Sequence, residues 1–269
     1  MSDFRTDPLV EELVERLMER RVIPFAGAGV SANAGLPGWD ELVSRVASAL
    51  GISPEAIREK RDLLVAIEYL MIQGKDVIPT ILADILEWSK NIPDPPEPIK
   101  NIARLDAPAV YTTNWDDLQE EAYKQLGKPY TSVAHPTDLT KLSSSATPIL
   151  KYHGSIHHPN TMVISESQYY ERFGIDSPFD LRLRADMMEY HMLFLGYSFR
   201  DYNVRYIWNR TQKLFGDIDL AEPRCAFFVA TRTDPIFHAV LEASNIRVIH
   251  LDGHGEFPLF MEHLSKCVT

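Results

Sequence analysis

Four short stretches carry residue types that can do chemistry, and each follows an apolar run. The first is Gly27-Ala28-Gly29-Val30-Ser31, after Arg21 to Ala26. Small residues at such a turn let backbone N–H groups approach a phosphate, and a helix starting there adds partial positive charge. The turn is neither GxGxxG, since Ser31-Ala32 replace the third glycine, nor a P-loop, since no Gly-Lys-Ser/Thr follows. The second, Thr112-Thr113-Asn114-Trp115-Asp116-Asp117, offers an amide and a carboxylate, either of which can also cap the next helix. The third, Lys151-Tyr152-His153-Gly154-Ser155, offers an imidazole able to act as a general base near neutral pH. His157 and His158 beside it read as surface-loop residues. The fourth, Leu195-Gly196-Tyr197-Ser198, combines a glycine that permits close backbone approach with a hydroxyl for a phosphate or ribose. Asp201 after it reads as a helix cap.

These stretches need a scaffold that brings them to one edge. Apolar runs at 21–26, 109–112, 148–152, 192–195, 226–229 and 247–250 read as buried strands, each stopping at a glycine or a polar turn. Helical spacing recurs at 8–17, 39–50, 116–126, 201–214, 235–243 and 255–266. Strands alternating with helices predict an α/β fold with a Rossmann-like, mostly parallel, doubly wound sheet. In such sheets ligands bind outside the C-terminal ends of the strands, where all four stretches fall. Residues 51–105 depart from the alternation: two helical patterns precede a Pro-rich break at 91–98. They read as a helical insertion within a single domain spanning 1–269.

The ordered motifs GAGxSxxxGxP, TTNxD, HGS and GxS resemble the sirtuin catalytic domain, and in particular its bacterial anti-phage defence branch. The resemblance runs from about residue 21 to 250. It implies NAD as the substrate, with Gly27, Ala28, Gly29 and Ser31 at the pyrophosphate. It places Asn114 under the nicotinamide ribose, Asp116 at the nicotinamide carboxamide and His153 as the base. Gly196 and Ser198 complete the phosphate and ribose contacts. Deacylating sirtuins carry a four-Cys zinc module after HGS, but here no Cys occurs between 154 and 224. They also carry Asp-Phe-Arg after GxP, whereas Gly38-Trp39-Asp40 stands here, with Trp39 able to cover the nicotinamide. The implied activity is therefore NAD glycohydrolysis without zinc or any other metal. An NAD-dependent protein deacylase and a non-catalytic NAD or ADP-ribose sensor are the alternatives. The family further implies a homo-oligomer, or a HerA-type ATPase or short Argonaute as partner.

Composition narrows the remaining classes. Asp plus Glu total 38 against 27 Lys plus Arg, a net charge of −11 without a basic run, which argues against direct nucleic-acid binding. Two cysteines, Cys225 and Cys267, form no CxxC pair and fit a reducing compartment. The first residues, Met1 to Asp7, are polar, and no apolar run approaches the ~20 residues of a membrane helix. A cytoplasmic protein without a membrane segment is expected.

Overall fold

Because both faces of a parallel strand are covered, its residues can be apolar without alternation. Seven such strands form one sheet in the computed structural model, which describes residues 3–31, 34–36, 39–58, 63–73, 94–174, 177–197, 202–216 and 224–268. They are β1 (Val22–Ala26), β2 (Val110–Thr112), β3 (Tyr130–Val133), β4 (Thr147–Lys151), β5 (His191–Leu195), β6 (Ala226–Ala230) and β7 (Ile246–His250). Their order is β3-β4-β2-β1-β5-β6-β7, and every pairing is parallel. The chain lays β2, then the edge strand β3 and then β4 between them on one side of β1, and returns to lay β5 on the other. The topological switch point therefore lies between β1 and β5.

The described helices are α1 (Pro8–Met18), α2 (Ala28–Ser31), α3 (Trp39–Ala49), α4 (Pro54–Arg58), α5 (Leu63–Gln73), α6 (Glu97–Arg104), α7 (Leu118–Gln125), α8 (Glu166–Gly174), α9 (Pro178–Glu189), α10 (Tyr202–Gly216), α11 (Pro235–Glu242) and α12 (Phe257–Val268). Asp7 caps α1 as its sequence suggests, accepting the Leu9 N–H at 2.9 Å with Pro8 in the first turn. Alternate residues of β1 feed two cores. Val22 and Ala26 pack with α1, α6, α7 and α12, while Ile23 and Phe25 pack with α9, α10 and α11. Among the described residues no helix is long and apolar enough to cross a membrane.

A proline in a central strand removes a ladder donor. In β1, Gly27 N–H bonds to Leu195 O of β5, whereas Ala26 O accepts from Thr113 on the β2 side. Pro24 thus lacks its N–H on the β2 side, and the β2 ladder begins only at Phe25↔Tyr111. The short β2 spares the proline.

β3 was not among the expected strands. Its Tyr-Thr-Ser-Val is mostly half-exposed at the sheet edge and has no continuous apolar run. Within 51–105 the described helices do two jobs. α6 packs against α7 and α12 over the sheet. α4 and α5 instead join α3 in a third cluster, on Trp115 past β2 and on Ile156, Met162 and Ile164 past β4. Residues 59–62 and 74–93 lie outside the described part.

Candidate active site

At the switch point the two turns meet backbone to backbone. Gly27 and Gly29 donate their N–H groups to Leu195 O and Gly196 O, each at 2.9 Å. A Cβ on Gly29 would lie 2.7 Å from Gly196 O, and one on Gly196 would lie 2.4 Å from Val30 N. Gly196 also has φ +56°, a left-handed conformation that suits glycine. The sequence reading put a phosphate against Gly27 and Gly29. In the structure their small size serves the contact between the two turns, which their N–H groups bond across. What this turn turns outward is Ala28 and Gly29, both exposed at the start of α2. Ser198 and the Trp39 side chain lie outside the described residues.

The loop after β2 is tied to this turn. The Asn114 amide Nδ2 donates to Gly27 O (3.2 Å) and to Ser31 Oγ (2.8 Å), and the Asn114 N–H bonds to Thr112 Oγ1 (3.0 Å). Gly27 O can only accept, which fixes the amide orientation. With its NH₂ committed, the group Asn114 can offer a ligand is its carbonyl oxygen, an acceptor. Asp116 does two things. Its Oδ1 caps α7 through the Leu118 N–H (3.0 Å), and its Oδ2 accepts from Ser31 Oγ (3.4 Å). Capping and site placement are alternatives in the sequence; the structure shows the bond to the Leu118 N–H at the start of α7 and the contact with Ser31.

His153 lies one strand over. Thr112 of β2 pairs with Lys151 of β4, so Asn114 and His153 each stand two residues beyond a paired position. Trp115 Nε1 donates to His153 O (3.1 Å), joining the two loops. The His153 ring is buried between aromatic neighbours: Tyr152, and Tyr169 of α8, which meets it edge-on at 5.3 Å with its hydroxyl 3.5 Å from Nδ1. Gly154 follows at φ +84°, where a Cβ would fall 2.3 Å from Thr161 O. The turn after His153 therefore admits no side chain.

The charged group that sequence reading missed is Lys151. Nothing in the sequence marks it for burial, yet its side chain is fully buried. Its Nζ donates to Asp116 O (2.6 Å) and Asp117 Oδ1 (3.1 Å) and pairs with Glu120 Oε1 (3.2 Å). Burial pulls the Lys151 pKa down, but the three carboxylates outweigh it, and the net shift is upward. Burial pushes Asp116 up, with Lys151 opposing and the net direction still upward. Burial also pushes Asp117 up, but Lys151 and His157, the latter bonded to its Oδ2, bring it below its ordinary value. So His157, read as a loop residue, is exposed but not idle. Taking one partner from a buried ion cluster costs about 3–5 kcal/mol. Among the described residues no group of three or more His, Cys, Asp or Glu is placed to hold a metal ion.

Comparison with known proteins bears on this geometry. The SIR2-like domain family matches residues 108–249, more than half of the chain. The NAD(+) hydrolase ThsA of Bacillus cereus (strain MSX-D12) is 27% identical over 98% of the chain and 58% of that protein. Its namesake in Acinetobacter baumannii (strain 532279) is 29% identical over 99% of the chain and 57% of that protein. Defense-associated sirtuin 2 of Bacillus subtilis is 27% identical over 93% of the chain and 25% of that protein. The chain thus spans less than two thirds of these curated relatives. The crystal structure of a SIR2 homolog–NAD complex superposes with a TM-score of 0.55 at 15% identity, covering 96% of this chain and 95% of that one. At that identity the likeness shows the fold.

Proposed function

This chain belongs to the SIR2-like domain family, and from that premise we propose that it hydrolyses NAD to nicotinamide and ADP-ribose as an effector of bacterial anti-phage defence. Water attacks the ribose carbon as its bond to the nicotinamide nitrogen breaks. The bond's electron pair leaves with nicotinamide, and the water's proton passes to a base. Nicotinamide departs neutral and needs no acid. The observation that carries the reading is the placement of Asn114 and His153 at equivalent positions past neighbouring parallel strands. The relatives named as NAD(+) hydrolases, matched over nearly the whole chain, support it.

On this reading the exposed start of α2, at Ala28 and Gly29, takes the pyrophosphate, with Ser31 anchoring Asn114. Asn114 presents its carbonyl oxygen to a ribose hydroxyl or the attacking water. Asp116 receives the nicotinamide carboxamide, and His153 takes the proton. General-base help contributes on the order of 10²- to 10⁴-fold, and positioning supplies much of the rest. The insertion at 51–105 belongs to the same catalytic domain, with its α4 and α5 as a cover over the loops after β2 and β4. Trp39 covers the nicotinamide, and Gly196 and Ser198 complete the phosphate and ribose contacts. The protein works in the cytoplasm as a homo-oligomer, or beside a HerA-type ATPase or short Argonaute.

The test is chromatography of NAD incubated with the pure chain, with and without EDTA. Equimolar nicotinamide and ADP-ribose, at the same rate in both, is the expected result. Nicotinamide release that requires an acetyl-lysine peptide would replace hydrolysis with deacylation, and zinc-restored activity after EDTA would overturn metal independence.

A further inference from the structure

Lys151 ends β4, level with Thr112 of β2 and two residues before His153. An apolar side chain would fill such a buried strand position, and a buried ion cluster adds little net stability over such a filling. The chain places an ammonium there instead, with acceptors at Asp116 O, Asp117 Oδ1 and Glu120 Oε1. From Asp116 the path runs through Oδ2 to Ser31 Oγ (3.4 Å), and from Ser31 to Asn114 Nδ2 (2.8 Å). One buried cation thus holds the loop that carries Asn114, while its own backbone leads into His153.

We propose that Lys151 is a positioning residue for NAD cleavage: it locks the Asn114–Asp117 loop to the end of β4 and keeps Asp116 a carboxylate for the nicotinamide carboxamide. This deepens the NAD-hydrolase reading and rests on it. A carboxamide NH₂ is a donor; an ionised Asp116 has only acceptor atoms and holds it more strongly than a protonated one, in which one oxygen becomes a donor. Burial drives Asp116 toward its protonated form, and Lys151 is the largest influence opposing this. The Leu118 N–H also opposes it, while Glu120 and Asp117 add to it. His157 stands beyond Asp117, and Ser31, the contact from α2, is neutral.

The experiment measures kcat and KM for NAD against pH in wild type, Lys151→Met and Glu120→Gln. Carbon-13 NMR titrates the Asp116 carboxyl in each, assigned with Asp116→Asn. Lys151→Met is expected to lower kcat/KM by about tenfold or more at pH 7 and to move the acid limb up by about one pH unit. Activity recovers in part at alkaline pH, and Asp116 titrates higher than in wild type. Glu120→Gln removes a negative charge while keeping an acceptor for Ser132 Oγ (2.8 Å). It shifts the limb and the Asp116 titration downward, and it carries the test if Lys151→Met does not fold. A purely space-filling Lys151 predicts an equal loss at every pH and an unmoved Asp116, which overturns the proposal. A wild type that leaves NAD intact overturns the hydrolase reading together with this role. An active wild type whose variants keep its pH profile overturns the role of Lys151 alone.

Discussion

Two histidines of this sheet are equally hidden, His153 at 4% exposure and His191 at 3%, yet they sit at opposite ends of parallel strands. His191 opens β5 at the N-terminal end of the sheet, where its Nδ1 accepts the Cys225 N–H at 3.3 Å. Burial, then Arg224, Arg16, Arg21 and Arg247, push its pKa down to about 4. It stays neutral at physiological pH and cannot collect a proton there. His153 stands instead at the C-terminal end, beside two aromatic rings and one strand from Asn114. Burial does not separate the two. Strand end does, and on the proposed reading His153 is the one that stands where a base is needed.

The largest effect expected from this contrast is catalytic. His153→Ala lowers NAD turnover by about 10²- to 10⁴-fold, whereas His191→Gln leaves it within about twofold. Urea unfolding of both variants shows that the His153 loss is chemical. Equal losses in turnover would erase the distinction.

A smaller effect concerns the glycines that join β1 to β5. Gly196→Ala forces a Cβ to 2.4 Å from Val30 N at φ +56°. It should destabilise the fold by about 2–4 kcal/mol. Gly51 is the control: its φ is +71°, and nothing lies within 4 Å of an added Cβ. Gly51→Ala should cost about 1 kcal/mol. Equal midpoint shifts in urea would mean that the close approach of the two turns is not what selects glycine at 196.

The smallest effect is a pH dependence at the N-terminal end. Unfolding returns His191 from about 4 to its ordinary 6.5. Between those values the unfolded chain binds the proton and the folded chain does not. Stability therefore falls as pH drops from 6.5 to 4, by on the order of 2 kcal/mol, and this loss is absent above 6.5. His191→Gln should flatten the profile of melting temperature against pH in that window. An unchanged slope would show that other groups set it.

Sequence reading found the scaffold where chemistry and periodicity agree. Apolar runs ending in Gly27, Thr112, His153 and Gly196 located β1, β2, β4 and β5, because strands buried on both faces need no alternation. β3 escaped, since Tyr130 to Val133 lies half-exposed at an edge and resembles a loop in composition. The boundary of the insertion was blurred by the Pro-rich stretch ahead of α6, which reads as a break although α6 packs over the sheet. Asn114, Asp116 and His153 were legible as polar residues directly past strands. Lys151 was not, because a lone lysine at a strand end carries no mark of burial; only the three-dimensional meeting with Asp117 and Glu120 reveals it. The contact that Gly27 and Gly29 make was hidden for the same reason: the partner turn at Gly196 is far away in sequence.

That distance has a consequence in time. Val22 pairs with His191, so the central strand waits for a segment synthesised long after it. At about 5–20 residues per second, β1 leaves the ribosome roughly ten to thirty seconds before β5 can meet it. During that interval one edge of a fully buried strand has no mate, and Gly29 has no Gly196 to lean on. A nascent chain stalled before β5 would expose an unpaired strand edge to chaperones and proteases and would lack the joined turns at Gly29 and Gly196. On the proposed reading, a chain only half made has no completed site for its nucleotide.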